Sequence, residues 1–248
     1  MAKKPTLAFF DFTGCEGCQI EFTNLGDEAI LELLKHVDLV EFREAMSETT
    51  TQRIDIALVE GSFTREMDCE RLMDIRRRAR TVIAYGACAC TGGINALRNH
   101  QDDYHEVVYG EHATDPMVLS SPARPISAVI DVDYEVPGCP ADKYELVQIL
   151  TDLLHGKRPF IPTYPVCVEC KRRGTVCRYD EGDYCMGQVA RAGCGAPCPA
   201  AGIPCEACRG FSADASLASL EKVLMERGGM SQARAISKTR MFTANLRG

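Results

Sequence analysis

The chain has 248 residues, a formal net charge of −7, no tryptophan and 14 cysteines. That length buries a real hydrophobic core without disulfide staples, and the acidic balance lacks the basic footprint of a nucleic-acid binder. No segment approaches the roughly 18 apolar residues of a membrane helix, and the apolar run after Lys4 stops at Asp11, too short for an export signal, so a cytoplasmic protein with reduced thiols is expected.

Leu7 to Phe10 reads as a first strand, Glu21 to His36 as one amphipathic helix with Ile30, Leu31, Leu33 and Leu34 on its apolar side, and Val37 to Phe42 as a second strand. Ile54 to Val59 is a third, buried strand, Thr64 to Arg78 a helix, and Thr81 to Tyr85 a fourth strand that stops at Gly86. Arg76-Arg77-Arg78 falls in the pattern of that helix and reads as a solvated face. From Ala128 to Val136, Ile130, Val132, Tyr134 and Val136 alternate with Asp131, Asp133 and Glu135, the pattern of a half-exposed strand. Tyr144 to Leu154 makes a further helix that ends near Gly156. Strands alternating with helices predict a parallel sheet covered by helices, a doubly wound α/β domain over residues 1–157.

The composition then changes. From Arg158 to about Gly210, prolines stand among cysteines and glycines with almost no apolar periodicity. Such a segment is expected to form no hydrophobic core of its own and to be held by bound metal. Leu217, Leu220, Val223 and Leu224 then have helical spacing, Gly228-Gly229 ends that helix, and the tail from Met230 to Gly248 is basic and weakly amphipathic. Residues 158–248 thus form a second, irregular domain.

Eight cysteines lie in that domain: Cys167-x-x-Cys170, Cys177, Cys185, Cys194-x-x-x-Cys198 and Cys205-x-x-Cys208. Ordinary core packing does not account for so many thiols in so short a stretch. Of the remainder, Cys15 and Cys18 follow the first strand, Cys88 and Cys90 the fourth, and Cys139 the strand ending at Val136. Loops at the carboxyl ends of parallel strands meet in one crevice, so three loops deliver thiols to one place. Neither Gly-x-Gly-x-x-Gly nor Gly-Lys-Thr occurs in the first loop, which weakens a nucleotide reading. Taken alone, Cys15-x-x-Cys18 also suits a redox disulfide or half a zinc site, and Cys167-x-x-Cys170 with Cys205-x-x-Cys208 suits a zinc ribbon of unusual spacing. Cys69 lies in a helical pattern and reads as a plain thiol; only one of Cys88 and Cys90 is needed. Twelve thiols remain, four in the crevice and eight beyond, and four thiolates per cubane cluster make three clusters.

Cys15-x-x-Cys18 after the first strand, Gly86-Ala87-Cys88-x-x-x-Gly92-Gly93, Pro137-Gly138-Cys139-Pro140 and the later array together resemble the small subunit of nickel-iron hydrogenases over about residues 5–210. The all-cysteine array is most similar to the cytoplasmic, F420-non-reducing (methyl-viologen-reducing) type, with soluble sulfhydrogenase delta subunits also similar. The resemblance implies a flavodoxin-like first domain and three [4Fe-4S] clusters. It makes Cys15, Cys18, Cys88 and Cys139 the proximal ligands, Cys167, Cys170, Cys177 and Cys185 the distal set, and Cys194, Cys198, Cys205 and Cys208 the medial set. Cys88 is preferred to Cys90 because it fills the cysteine of the Gly-x-Cys-x-x-x-Gly-Gly pattern. Membrane-associated relatives have histidine where this chain has Cys167, and many have proline at the position of Cys198. The first difference makes the distal site all-thiolate; the second permits a four-iron medial cluster.

The resemblance also implies an electron-transfer subunit of an H2-oxidising enzyme, with no catalytic residue of its own. Its partners would be a large subunit carrying the nickel-iron centre and an electron-accepting iron-sulfur or flavin subunit, such as a heterodisulfide reductase module. Glu16 and Glu21 beside the proximal cysteines either relay protons or are simply solvated or paired. Lys171, Arg172, Arg173 and Arg178 around the distal cysteines are either solvated loop residues or a docking rim for an acidic acceptor. The rival readings are the related cluster subunit of a quinone-linked NADH dehydrogenase, against which the eight later cysteines count, and a zinc-stabilised interaction module.

Overall fold

The structure, a computed structural model, describes residues 4–246; Met1 to Lys3 and the last two residues of the expected tail lie outside the described residues. β1 (Thr6–Asp11) leads to α1 (Gly17–Thr23), α2 (Asp27–His36) and β2 (Asp38–Glu41). β3 (Ile54–Glu60), α3 (Cys69–Arg78), β4 (Ala79–Tyr85), α4 (Ala87–Thr91) and α5 (Tyr104–Tyr109) follow, then β5 (Tyr134–Val136) and α6 (Lys143–Leu154). The five strands form one parallel sheet in the order β2-β1-β3-β4-β5. This 2-1-3-4-5 order is flavodoxin-like, and the chain reverses direction across the sheet between β1 and β3.

Alternate residues of each central strand feed two cores. Leu7, Phe9, Ile56, Leu58, Ile83 and Tyr85 face α1, α2 and α6, meeting Phe22, Leu33, Leu34, Leu146 and Leu150. Phe10, Ala57, Val59, Val82 and Ala84 face α3 and α4, meeting Leu72, Ile75 and Cys90. Strands buried on both faces read as continuous apolar runs, which is why they were visible in sequence.

The single helix expected over 21–36 is instead two. The chain breaks at Asn24-Leu25-Gly26, where Gly26 takes φ +90°, and the first helix starts early enough to hold Cys18 in its opening turn. The break lets Phe22 turn inward against Phe9 while Leu31 stays 61% exposed. The strand expected over 128–136 is also reduced to Tyr134–Val136. Asp133 stands where the ladder would continue: its N–H donates to Val82 O at 2.9 Å, and its carboxylate accepts from Val82 N and from Arg76 Nη1, each at 2.7 Å. The side chain thereby takes the place of a backbone acceptor, and Ile130 folds back onto the second core instead of alternating.

Beyond α6 come α7 (Val166–Arg172), α8 (Pro197–Ala200), α9 (Leu217–Glu226) and α10 (Gln232–Arg240). The cysteine-rich segment, expected to form no hydrophobic core of its own, shares one with the helices that follow it. Val166, Met186, Val189 and Ala190 pack with Leu220, Leu224, Met230 and Ala235, so α9 and α10 complete a core that the cysteine-rich segment cannot build alone. The tail packs as well. Thr91 Oγ1 donates to Phe242 O at 2.9 Å, and Asn245 Nδ2 donates to Thr91 O at 3.1 Å and Ala123 O at 2.8 Å. No helix among the described residues is long and apolar enough to cross a membrane.

Candidate metal centres

The first group of thiols gathers at the carboxyl edge of the sheet. Cys15 lies in the loop after β1, Cys18 in the first turn of α1, Cys88 in α4 directly after β4, and Cys139 in the loop after β5. The amino end of α1 is held by a residue that motif reading missed: the Glu60 carboxylate, at the end of β3 and only 4% exposed, accepts from Cys18 N at 3.1 Å and Gln19 N at 3.0 Å. An acid terminating a buried apolar strand was the one available signal. Tyr85 Oη donates to Cys18 O at 2.9 Å, and Asn95 Nδ2 spans Thr13 O at 2.9 Å, Ser62 Oγ at 3.0 Å and Cys88 Sγ at 3.8 Å.

Two glycines bring backbone against these sulfurs. At Gly86, with φ +91°, a Cβ would collide with Cys18 Sγ; at Gly93, with φ +55°, it would stand 2.9 Å from Cys88 Sγ. The four thiols share one field. Burial pushes the Cys88 thiol up to about 12, with Cys139 and Cys15 adding to it. Burial and then Glu60 drive the Cys18 thiol far above its ordinary range, and burial raises Cys139, helped by Cys208 and Cys15. Thiols raised in this way stay protonated unless a cation claims them, and metal binding would release those protons.

Cys90 is placed differently. It is buried in the second core, with its thiol donating to Ala84 O at 3.4 Å. Cys69 opens α3 with its sulfur 3.9 Å from Met73 Sδ. Of the two acids beside the first thiols, Glu21 pairs with Lys143 at 3.2 Å. Glu16 sits at φ +59° with its carboxyl raised by its hydrogen bond with Glu44, then by burial.

The eight later cysteines line two hollows. Cys194, Cys198, Cys205 and Cys208, together with Cys139, surround a cavity of about 240 Å³ walled by Pro197, Pro199, Met241 and Phe242. Cys167, Cys170, Cys177 and Cys185 surround another of about 180 Å³ with Lys171, Arg178, Tyr179 and Arg227. Burial pushes Cys194 and Cys167 each up to about 11 and drives Cys205 higher still. A bigger hollow of about 610 Å³ lies at the amino ends of β1, β3 and β4 between Lys4, Arg53 and Arg80, but it is an open cleft on the opposite edge from the thiols.

The three groups are joined in series. The Cys139 backbone hydrogen-bonds to the Cys208 thiol, linking the first to the second. Cys205 N donates to Cys185 Sγ at 3.4 Å, linking the second to the third. Pro199 lines both later cavities. Among the described residues no three His, Cys, Asp or Glu side chains close around a single-ion position. The two thiol-lined hollows are several times the roughly 30 Å³ share of one water, and quartets made only of thiols suit iron-sulfur clusters as well as structural zinc.

Between the first and second groups lies a buried pair that motif reading also missed, because Arg209 was lost in the cysteine array. Arg209, 3% exposed, donates from Nε to Ala192 O at 2.9 Å, from Nη1 to Pro137 O at 2.6 Å and from Nη2 to Glu145 Oε1 at 2.7 Å. Asp142 caps α6 by accepting from Glu145 N at 2.8 Å, which leaves the Glu145 side chain free to turn toward Arg209. Burial pushes the Glu145 carboxyl up to about 7.

The family described as NADH ubiquinone oxidoreductase, 20 Kd subunit, matches residues 15–153, more than half of the chain. Sulfhydrogenase 2 subunit delta of Pyrococcus furiosus is 36% identical over 221 residues, covering 89% of this chain and 92% of the relative. A chain of the vhu F420-non-reducing hydrogenase of Methanococcus voltae is 33% identical over 240 residues, covering 85% of this chain and 83% of the relative. A chain of the NAD+-reducing [NiFe]-hydrogenase in its H2-reduced state superposes with a TM-score of 0.58 at 32% identity, covering 64% of this chain and 96% of that one. The [NiFeSe]-hydrogenase of Desulfomicrobium baculatum matches in fold, with a TM-score of 0.58 at 16% identity over 84% of this chain and 95% of that one.

Proposed function

Since the chain belongs to the small-subunit family of nickel-iron hydrogenases, within the wider family of the NADH ubiquinone oxidoreductase 20 Kd subunit, we propose that it conducts electrons between a separate hydrogen-splitting subunit and an acceptor. The observation that carries this reading is the series of three thiol quartets, each meeting the next through a named contact. Cys15, Cys18, Cys88 and Cys139 would hold the proximal [4Fe-4S] cluster, Cys194, Cys198, Cys205 and Cys208 the medial one, and Cys167, Cys170, Cys177 and Cys185 the distal one. When bound, such clusters supply one-electron carriage.

The chain's own residues fix where the carriers sit and what surrounds them. Glu60 and Tyr85 anchor the turn that bears Cys18, Gly86 and Gly93 admit the first site's sulfurs at close range, and Met241 with Phe242 walls the second. Exposed Cys15 and Cys139 mark the edge where the large subunit, with its nickel-iron centre, would dock. At the other end, exposed Cys177 lies near Lys171, Arg172, Arg173 and exposed Val176, while Arg178 is engaged by Glu181 and Asp183 and leaves the expected rim. This rim would receive the acceptor, an acidic iron-sulfur or flavin subunit such as a heterodisulfide reductase module. The identity to sulfhydrogenase 2 subunit delta supports a second possibility for the acceptor, a sulfhydrogenase-type assembly. A cytoplasmic location belongs to the same reading, because thiols awaiting their clusters stay reduced there.

Affinity purification of the chain from its host under anaerobic conditions tests the proposal. A co-purifying nickel-containing subunit and H2-dependent bleaching of visible iron-sulfur absorption are expected. Nickel-free material that H2 does not reduce would overturn it.

A further inference from the structure

The geometry points to Arg209 as the residue that raises the reduction potential of the Cys194, Cys198, Cys205 and Cys208 site above that of the Cys15 site, giving electrons a downhill step from the first to the second. The inference rests on the cluster assignment proposed above.

A guanidinium keeps its proton under all physiological conditions, and burying one is costly unless its donors are matched. Arg209 is matched on three sides: Pro137 O lies two residues before Cys139, Ala192 O lies two residues before Cys194, and Glu145 supplies the carboxylate. The fork therefore ties the loops of the first and second quartets together, and its charge lies in the wall of the second cavity. Gly193 makes room, since a Cβ there would collide with both Arg209 and Glu145.

Reduction adds negative charge to a site, so a fixed cation in a low-dielectric wall favours the reduced state. Arg209 follows Cys208 directly in the chain and shares the wall of that cavity with Cys194, Cys205 and Cys208. The buried acid beside the first site is instead Glu60, whose carboxylate accepts from Cys18 N at 3.1 Å and Gln19 N at 3.0 Å and opposes added negative charge. Glu145 does not cancel the cation fully, because one of its oxygens is buried without a partner and burial disfavours its ionised form.

The test is an EPR-monitored redox titration of the assembled hydrogenase carrying Arg209→Lys, or Arg209→Gln with Glu145→Gln. The double variant removes both charges and keeps an amide pair in the wall, so no buried ion is orphaned. The expected result is a lower midpoint potential at the Cys194 site in the double variant, a smaller change at the Cys15 site, and a value near wild type in Arg209→Lys. An unmoved potential in the double variant overturns the inference, as does an equal fall in Arg209→Lys. Complete loss of that site's signal in the double variant also overturns it, marking Arg209 as a strut. If the wild-type spectrum has no component that Cys198→Ser alters, the cluster assignment itself fails.

Discussion

Cys198 and Cys90 show how differently one residue type is used within this chain. Cys198 is exposed in the opening turn of α8 and lines the second cavity with three other thiols. Its replacement by serine should convert one [4Fe-4S] site to a [3Fe-4S] form, visible as a new signal in the oxidised protein; an unchanged EPR spectrum would contradict the assignment. Thiol counting left Cys88 and Cys90 undivided and only the resemblance preferred Cys88; packing separates them, because α4 turns Cys88 toward Cys139 and Cys90 into the core. Cys88→Ser should therefore lower the iron content, by at least one atom and at most the roughly four of one four-thiolate cluster. Cys90→Ala should leave iron unchanged and cost about 1–2 kcal/mol of stability through the cavity left behind. Equal iron loss in the two variants would refute this division. Glu60 and Arg209 escaped sequence reading because neither belongs to a spacing pattern; burial alone makes their charges matter.

The elements legible in sequence were those whose period comes from burial on both faces. Ile54–Glu60 and Ala79–Tyr85 needed only their apolar runs. The failures lie where a local polar group overrides the pattern, as when Asp133 replaces a ladder acceptor or Gly26 divides the expected helix. The tail is the plainest case. Its weak amphipathicity left packing undecided, yet α10 enters the third core through Ala235, and Phe242 walls the second cavity. Deleting residues from Met241 onward should open that cavity, and the Cys194 site should then bleach faster in air than the Cys167 site, followed by EPR. Equal rates would show that the strap shields nothing.

Across the whole molecule, the sequence revealed three thiol groups but not how they are joined. The Cys139–Cys208 contact arises where the loop after β5 meets the irregular segment through Arg209, over a sequence separation no motif spans, and the Cys205–Cys185 contact closes within that segment. The charge balance is likewise uneven: a chain of net charge −7 carries Lys171, Arg172 and Arg173 beside its outermost exposed thiol. Electron transfer to an acidic acceptor should slow as salt rises through the range where the Debye length falls from about 10 Å to 3 Å. Replacing Lys171 and Arg172 by glutamine should slow it at low salt and flatten the salt dependence. A rate indifferent to both would exclude an electrostatic docking rim at this end. The central claim is tested most directly by iron, sulfide and zinc analysis of the anaerobically purified protein, combined with EPR after stepwise reduction. The account predicts roughly twelve irons per chain, four for each thiol quartet, no zinc, and magnetically interacting [4Fe-4S] signals; about four irons, or zinc in the later quartets, would contradict it.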